Sequence, residues 1–310
     1  MILTIIIILI LSTIFLITTF ISFKLAFYNN EKTQSDAYHM PSNKQYNPHR
    51  EKATKLVENL LNESYERVYT KSFDGLSLSA RYYHNKSGVP LVIQFHGYRS
   101  HSIRDFSGGY TIVDGLGYNI LIVDQRAHGK SEGKYLTMGI KERFDCLSWV
   151  KYAVERFGED TKIILSGVSM GAATVLLASE LDLPDNVRGI FADCPYSSPE
   201  KIVKKVIADM KLPPFLYFFV KMGAKIWGKF DLGAASPEEA VKNNTLPLLI
   251  IHGDDDRFVP YYMSVDIFNA AKTKHKKFIT VKTAGHGLSF MVDFKTYSNA
   301  VKEFTNQIIN

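Results

Sequence analysis

The stretch Lys162–Leu177, KIILSGVSMGAATVLL, reads as a short apolar strand, a sharp turn and a helix of small residues, with Ser169 at the turn. Its centre, Gly167-Val168-Ser169-Met170-Gly171, has the pattern G-x-S-x-G. A serine on so tight a strand-to-helix turn sits in a strained backbone conformation, and side chains two residues to either side would collide with the neighbouring strand and helix. Glycine removes the collision. The following helix aims its N-terminal amides and the positive end of its dipole at the same point, where they stabilise negative charge developing beside Ser169.

Around this stretch, short apolar runs alternate with helical segments. Strands are expected at 67–73 and 76–84 as a hairpin about Asp74-Gly75, then at 90–95, 119–123, 162–165, 187–192, 247–251 and 278–281. Helices are expected at 51–62, 105–116, 140–157, 170–181, 260–271 and 289–308. Such alternation implies an α/β fold with an open, mostly parallel sheet covered by helices on both faces, and a site at the carboxyl ends of its strands. One interval breaks the rhythm. Between Ala192 and Pro247 lie 54 residues, more than one crossover helix needs. They read as a small helical cap at about 197–245, whose segment PPFLYFFVKMGAKIW (213–227) holds more apolar surface than one helical face hides. That surface is read as glue to the core, as an acyl-binding wall over the site, or as both.

With 310 residues, 46% hydrophobic and 22% charged, the chain is long enough for one large domain with a well-buried core. Met1–Phe23 carries no charged side chain, and as a helix it is long enough to cross a bilayer. The segment lacks a basic leading region and an A-x-A site, so it is read as a retained anchor rather than a cleaved signal. Residues 24–50 read as a tether and 51–310 as the catalytic domain. Lys24, Lys32 and Lys44 follow the span, and by the positive-inside rule they favour a cytoplasmic domain on a single-pass membrane protein. The net charge of +6 comes from scattered lysines and fits a solvated surface; no nucleic-acid motif accompanies it. Cys146 and Cys194 lack metal-ligand spacing and read as buried thiols.

A serine hydroxyl needs a base, and the base needs a carboxylate to orient it. Of nine histidines, His286 lies in a glycine-flanked loop, TAGHG (283–287), between the last expected strand and the last helix. The acid is expected in the loop HGDDDRFVP (252–260), which offers Asp254, Asp255 and Asp256. Together, Gly167–Gly171, the loop ending in Val259-Pro260, and Ala284-Gly285-His286-Gly287 resemble the α/β-hydrolase family over about residues 65–308, and its membrane-anchored bacterial members of the serine aminopeptidase-like or lysophospholipase-like branch. The family spacing D-x-x-V-P selects Asp256; Asp193 is the rival, since some members keep the acid after the preceding strand. QFHGYRSH (94–101) is similar to the family's H-G-x loop, which implies an oxyanion hole made by the N–H groups of Tyr98 and Met170. DQRAHGKSEG (124–133) is similar to its D-x-R-G-H-G-x-S loop, so His128 reads as structural. Arg99 and Arg104 read as loop braces.

The resemblance implies a serine hydrolase with the triad Ser169, Asp256 and His286, acting through an acyl-enzyme and requiring neither metal nor cofactor. The apolar cap and the anchor favour a small or lipid-like carboxylic ester of short to medium acyl length, handled by a monomer. Peptidase or thioesterase activity is the alternative, and a non-catalytic binding role is the reading from a different class.

Overall fold

The computed structural model describes residues 1–29 and 36–309. Helix α1 (Ile2–Phe27) leads to α2 (Arg50–Asn62) and the antiparallel hairpin β1 (Glu66–Lys71) and β2 (Ser77–Tyr83). Then come β3 (Leu91–Phe95), α3 (Ser102–Asp114), β4 (Asn119–Asp124), α4 (Glu142–Phe157), β5 (Ile163–Val168) and α5 (Met170–Ala178). After β6 (Val187–Asp193) the insertion forms α6 (Pro199–Asp209), α7 (Leu216–Gly223) and α8 (Pro237–Ala240). The chain closes with β7 (Leu248–Gly253), α9 (Tyr261–Ala270), β8 (Lys276–Val281), α10 (Ser289–Val292) and α11 (Phe294–Ile309). The strands form one eight-stranded sheet in the order β1-β2-β4-β3-β5-β6-β7-β8, antiparallel at β1–β2–β4 and parallel from β4 to β8.

Because side chains alternate along a strand, each run feeds two cores. Leu91, Ile93 and Phe95 pack with Trp149 of α4 and Val175 of α5 on one face. Val92, Ile120, Ile122 and Ile164 pack with Val57 of α2, Ile112 of α3 and Val301 of α11 on the other. The burial of Tyr297, Val301, Phe304 and Ile308 shows the three-to-four-residue spacing that places one face of α11 on the sheet. Fully buried Trp149 anchors the opposite face; truncating such a ring costs about 3–5 kcal/mol. The last helix expected at 289–308 is broken. Asp293 is extended (φ −135°, ψ 80°), and its Oδ1 accepts from Thr296 N–H at 3.0 Å, starting α11 afresh.

Helix α1 runs past Phe23, with Lys24 in its last turn. It is the one described helix long and apolar enough to cross a membrane, and its first turns are exposed. Its final turns are not. Thr19, Phe23 and Phe27 are buried in a third core with Tyr196, Val220, Ala224, Phe230 and Met170. Gly223 of α7 allows this close approach, since a Cβ there would lie 2.5 Å from Thr19 O. Phe15 meets Phe218 and Phe219, while the Phe20 and Trp227 rings stand edge to face at 5.1 Å. The aromatics of 213–227 thus seat α1. They do not wall the cavity at Ser169, which draws no lining residue from 197–245.

The described part of 24–50 lies on the domain rather than apart from it. Tyr28 bridges to Tyr135, Asn29 N–H donates to Lys134 O at 2.9 Å, and Arg99 donates to the carbonyls of Leu25 and Tyr28 at 2.8 and 2.7 Å. Lys32 falls outside the described residues.

The tightest contact in the sheet joins β3 to α5: a Cβ on Gly171 would stand 1.7 Å from Phe95 O, a distance that no side-chain adjustment relieves. Gly171→Ala is therefore expected to destabilise the fold by more than about 4 kcal/mol, checked by thermal unfolding; a melting midpoint within a few degrees of wild type would refute the packing argument.

Candidate active site

Ser169 caps α5 with φ 56° and ψ −115°, a left-handed conformation in a non-glycine residue. The strain is held from three sides. Ser169 N–H donates to Asp193 O at 2.8 Å. A Cβ on Gly167 would stand 2.3 Å from the carbonyl carbon of Gly171, and Gly171 is pressed against the end of β3. The turn is a product of glycine at both flanks, and it lifts the hydroxyl above the strand ends.

There the structure brings three separated residues together. His286 Nε2 lies 3.0 Å from Ser169 Oγ, and His286 Nδ1 lies 2.7 Å from Asp256 Oδ2. Asp256 is fixed by its own loop, Oδ1 accepting the N–H groups of Phe258 at 2.9 Å and Val259 at 2.8 Å. Burial works against ionising this carboxyl. The His286 charge and the hydrogen bonds from His252 and His286 outweigh it and hold the group well below the usual carboxylate range. For His286, burial disfavours the charged ring, but the Asp256 charge and hydrogen bond prevail and raise its pKa above 6.5.

The rival acid is placed elsewhere. Asp193 Oδ2 accepts from Tyr297 OH at 3.0 Å, and burial pushes this carboxyl up to about 6. Asp254 serves Lys282 and Thr283 N–H, and Asp255 serves Arg257 and Gln45. His128 is buried against Arg126 O and the His96 ring, with its pKa lowered by burial.

Neither Tyr98 N–H nor Met170 N–H donates to an acceptor among the described residues; Tyr98 belongs to the turn after Gly97, where an added Cβ would lie 3.5 Å from Ser169 Cβ, and Met170 to the turn after Ser169 itself. The first of these turns rests on Asp105. Its Oδ2 accepts Gly97 N–H at 2.8 Å and its Oδ1 takes the Ser100 hydroxyl, while Arg104 lies alongside. Burial opposes ionisation of Asp105, yet the Arg104 charge and the Ser100 hydrogen bond leave its pKa lowered. Arg99 and Arg104 therefore act as braces, one for the end of α1 and one for this loop.

Four positioning side chains escaped the sequence reading. Asp105 is one, with no signal beyond its place eight residues after Gly97. His252, at the end of β7, sets Nε2 3.1 Å from Asp256 Oδ2 and Nδ1 2.6 Å from Ser264 Oγ, so it backs the acid from behind. Tyr46 donates its hydroxyl to His286 O at 2.7 Å, and Gln45 donates to Asp255 O at 2.9 Å. Both come from the stretch read as a tether.

Cys194, Asp256 and His286 are the one described group with enough converging donors for a metal, their ligand atoms lying within 4.8 Å of one another. The fit is poor. Burial holds the Cys194 thiol protonated, and the ring nitrogen facing Asp256 is committed to it.

The model of the family described as serine aminopeptidase, S33, matches residues 88–244, half of the chain. The chain belongs to that family. It is a hydrolase of the α/β-hydrolase superfamily, as the sheet order and the solved structures similar to it also show. The esterase Pf2001 of Pyrococcus furiosus superposes with a TM-score of 0.67 at 26% identity, over 82% of this chain and 94% of that one. Est1E of Butyrivibrio proteoclasticus, solved with ferulic acid bound, gives 0.60 at 26% identity over 78% and 99%. Among curated relatives, YqkD of Bacillus subtilis is 27% identical over 223 residues, 70% of this chain and 71% of that protein. The lysophosphatidylserine lipase ABHD12 of Danio rerio is 25% identical over 191 residues, 60% of this chain and 48% of that enzyme.

Because burial lowers the His286 pKa while the Asp256 charge and hydrogen bond raise it, with Asp193 and Asp105 adding to them, Asp256→Asn removes the largest opposition to burial. In an NMR titration of the full chain in detergent, His286 is expected to titrate above 6.5 in the wild type and below its wild-type value in Asp256→Asn; an unchanged midpoint would show that the pair is not electrostatically coupled.

Proposed function

We propose that this hydrolase is a membrane-attached serine carboxylesterase acting on small or lipid-like esters. The observation that carries the reading is the hydrogen-bonded line from Ser169 Oγ through His286 to Asp256, at 3.0 and 2.7 Å. His286 takes the Ser169 proton as Oγ attacks the ester carbonyl, and Asp256 stabilises the imidazolium that forms. The Tyr98 and Met170 amides receive the oxyanion; a donor so placed is worth about 3 kcal/mol at the transition state. His286 then protonates the departing alcohol. Water, deprotonated by the same ring, attacks the acyl-serine and releases the acid.

The cavity beside Ser169 has a volume of about 530 Å³ and is lined mostly by apolar side chains, among them Val92, Ile112 and Phe191. An aminopeptidase needs an anion to receive the substrate ammonium. Of the two carboxylates on the wall, Asp105 is engaged with the Gly97 loop, while Asp193 gives Oδ2 to Tyr297 and leaves Oδ1 without a partner among the described residues, so the preference for esters rests on Asp105 and on the apolar lining. The lipase and esterase relatives point the same way.

Membrane attachment is supported by the apolar surface of α1 together with that of the insertion packed on it. Beyond its contacts with the insertion, Ile2–Ile14 extends only about 20 Å, short of the roughly 30 Å hydrocarbon core. The exposed rings of Phe218 and Trp227 lie against Phe15 and Phe20, so they enter the bilayer with the helix and add to its apolar thickness. Retention of α1 is supported by Phe23 and Phe27, whose removal with a cleaved signal would empty the third core. Lys24, in the last turn, favours the cytoplasmic side for the domain.

Fluorophosphonate labelling and p-nitrophenyl ester hydrolysis test the chemistry. Ser169→Ala and His286→Ala are expected to abolish labelling and to lower kcat by a factor on the order of 10⁶; a folded wild type that neither labels nor hydrolyses esters would end the esterase reading. For the anchor, alkaline carbonate extraction is expected to leave the full chain in the membrane pellet, with mass spectrometry recovering Lys24-containing N-terminal peptide. Release into the supernatant, or a chain starting after Phe27, would contradict it.

A further inference from the structure

The cavity at Ser169 does not end at the strand tips. It continues down the sheet face that meets α3 and α11, passing Val168, Ser166 and Ile164 on β5 and reaching Val301 and Thr305 of α11. On this face β3, β5 and β6 present matched rows, with Gln94 opposite Ser166 and Ser166 opposite Phe191. Space exists because α3 carries Gly108 and Gly109 at this level. A Cβ on Gly109 would lie 3.5 Å from Gln94 Nε2, and one on Gly108 would lie 2.7 Å from the Phe290 ring. Ile164 lies five residues below Ser169, roughly 16 Å at strand rise. The deep walls are buried, so this arm of the cavity is a blind chamber.

The chamber is not uniformly apolar. Gln94 is 2% exposed, and its Oε1 has no partner among the described residues. Buried amide groups are nearly always hydrogen-bonded. Gln94 and the facing Ser166 stand three residues below Ser169, about 10 Å along the strand. A blind chamber suits the part of an ester that stays on the serine after the alcohol has left through the open side.

We propose that the chamber is an acyl subsite for medium-length acyl groups that carry a hydroxyl about 10 Å from the carbonyl carbon, held there by Gln94 and Ser166. This rests on the esterase reading and adds to it a substrate class and two specificity-determining side chains. A hydroxyl meets the Gln94 amide as donor or acceptor, whereas a plain alkyl chain leaves it unpaired.

The test uses the full chain in detergent with p-nitrophenyl ω-hydroxyoctanoate, octanoate and acetate, each octanoyl rate taken as a ratio to acetate on the same preparation. The wild type is expected to favour the hydroxyacyl over the octanoyl ester on the order of tenfold in kcat/KM. Gln94→Leu is expected to bring that preference to near unity, and Ser166→Ala to reduce it. Equal rates for the two octanoyl esters in the wild type, or a preference that survives in both variants, would overturn the subsite. A second measurement does not need turnover: calorimetric titration of Ser169→Ala with ω-hydroxyoctanoate and octanoate should show the same order, and equal affinities would also overturn it. Acetate hydrolysis and fluorophosphonate labelling report separately on the esterase reading, so loss of those signals with the binding order intact would sink that reading and leave the subsite standing.

Discussion

Everything at the centre of this molecule depends on how closely α5 approaches the ends of β3 and β5. The approach forces Ser169 into the left-handed region, and the residues that allow it, Gly167 and Gly171, have no room for a Cβ. Strain of this kind persists only where surrounding packing over-determines it. Here α5 is buried along its whole length, and the parallel pairing of β5 with β3 and β6 fixes the strand from which the turn springs. The same geometry places the Met170 amide at the first turn of the helix and the end of β3 beside it. The position of the Ser169 hydroxyl, the Met170 amide and the sheet packing are therefore a single constraint, and no one of them can relax alone.

The electrostatics obey a similar economy. Asp256 and Asp193 occupy comparable places at the ends of adjacent strands, yet their environments differ. Asp256 receives two backbone N–H groups and two imidazoles, and remains ionised despite burial. Asp193 faces one phenol, and burial dominates. The His286 charge and hydrogen bonding to the charged form, rather than place along the chain, separate Asp256 from Asp193. His252 strengthens the distinction, because it stands behind Asp256 and occupies the oxygen that also faces His286.

The parts legible in the sequence were those with local causes. Gly-flanked Ser169, the two-faced strands and the Asp74-Gly75 hairpin each follow from neighbours in the chain, and the structure places them within a few residues of expectation. The break at Asp293 was hidden, since an aspartate inside an amphipathic run caps a helix only when its φ and ψ leave the helical region. The aromatic surface of 213–227 was visible as surplus, but its partner was not. Whether such a face covers a site or seats another helix depends on contacts some 200 residues apart, as between Thr19 and Trp227. Tyr46 and Gln45 were obscure for the same reason, since their partners His286 and Asp255 lie 240 and 210 positions away; Asp105 and His252 bond to neighbours within 12 positions, but no pattern in the sequence marks those bonds.

That long-range logic also changes how the N-terminal region should be understood. A membrane anchor joined by a loose tether would be separable from the chemistry. In this chain the last turns of α1 share a core with Met170, Tyr98 OH donates to Ala26 O at 2.8 Å, and Arg99 holds the final carbonyls of the helix. The loop proposed to supply one oxyanion donor is thus fastened to the segment proposed to enter the membrane. Downstream, Tyr46 and Gln45 fasten the His286 and Asp255 loops from the same side. The last turns of α1 and the loop that carries Tyr98 are therefore one packed unit rather than separable parts.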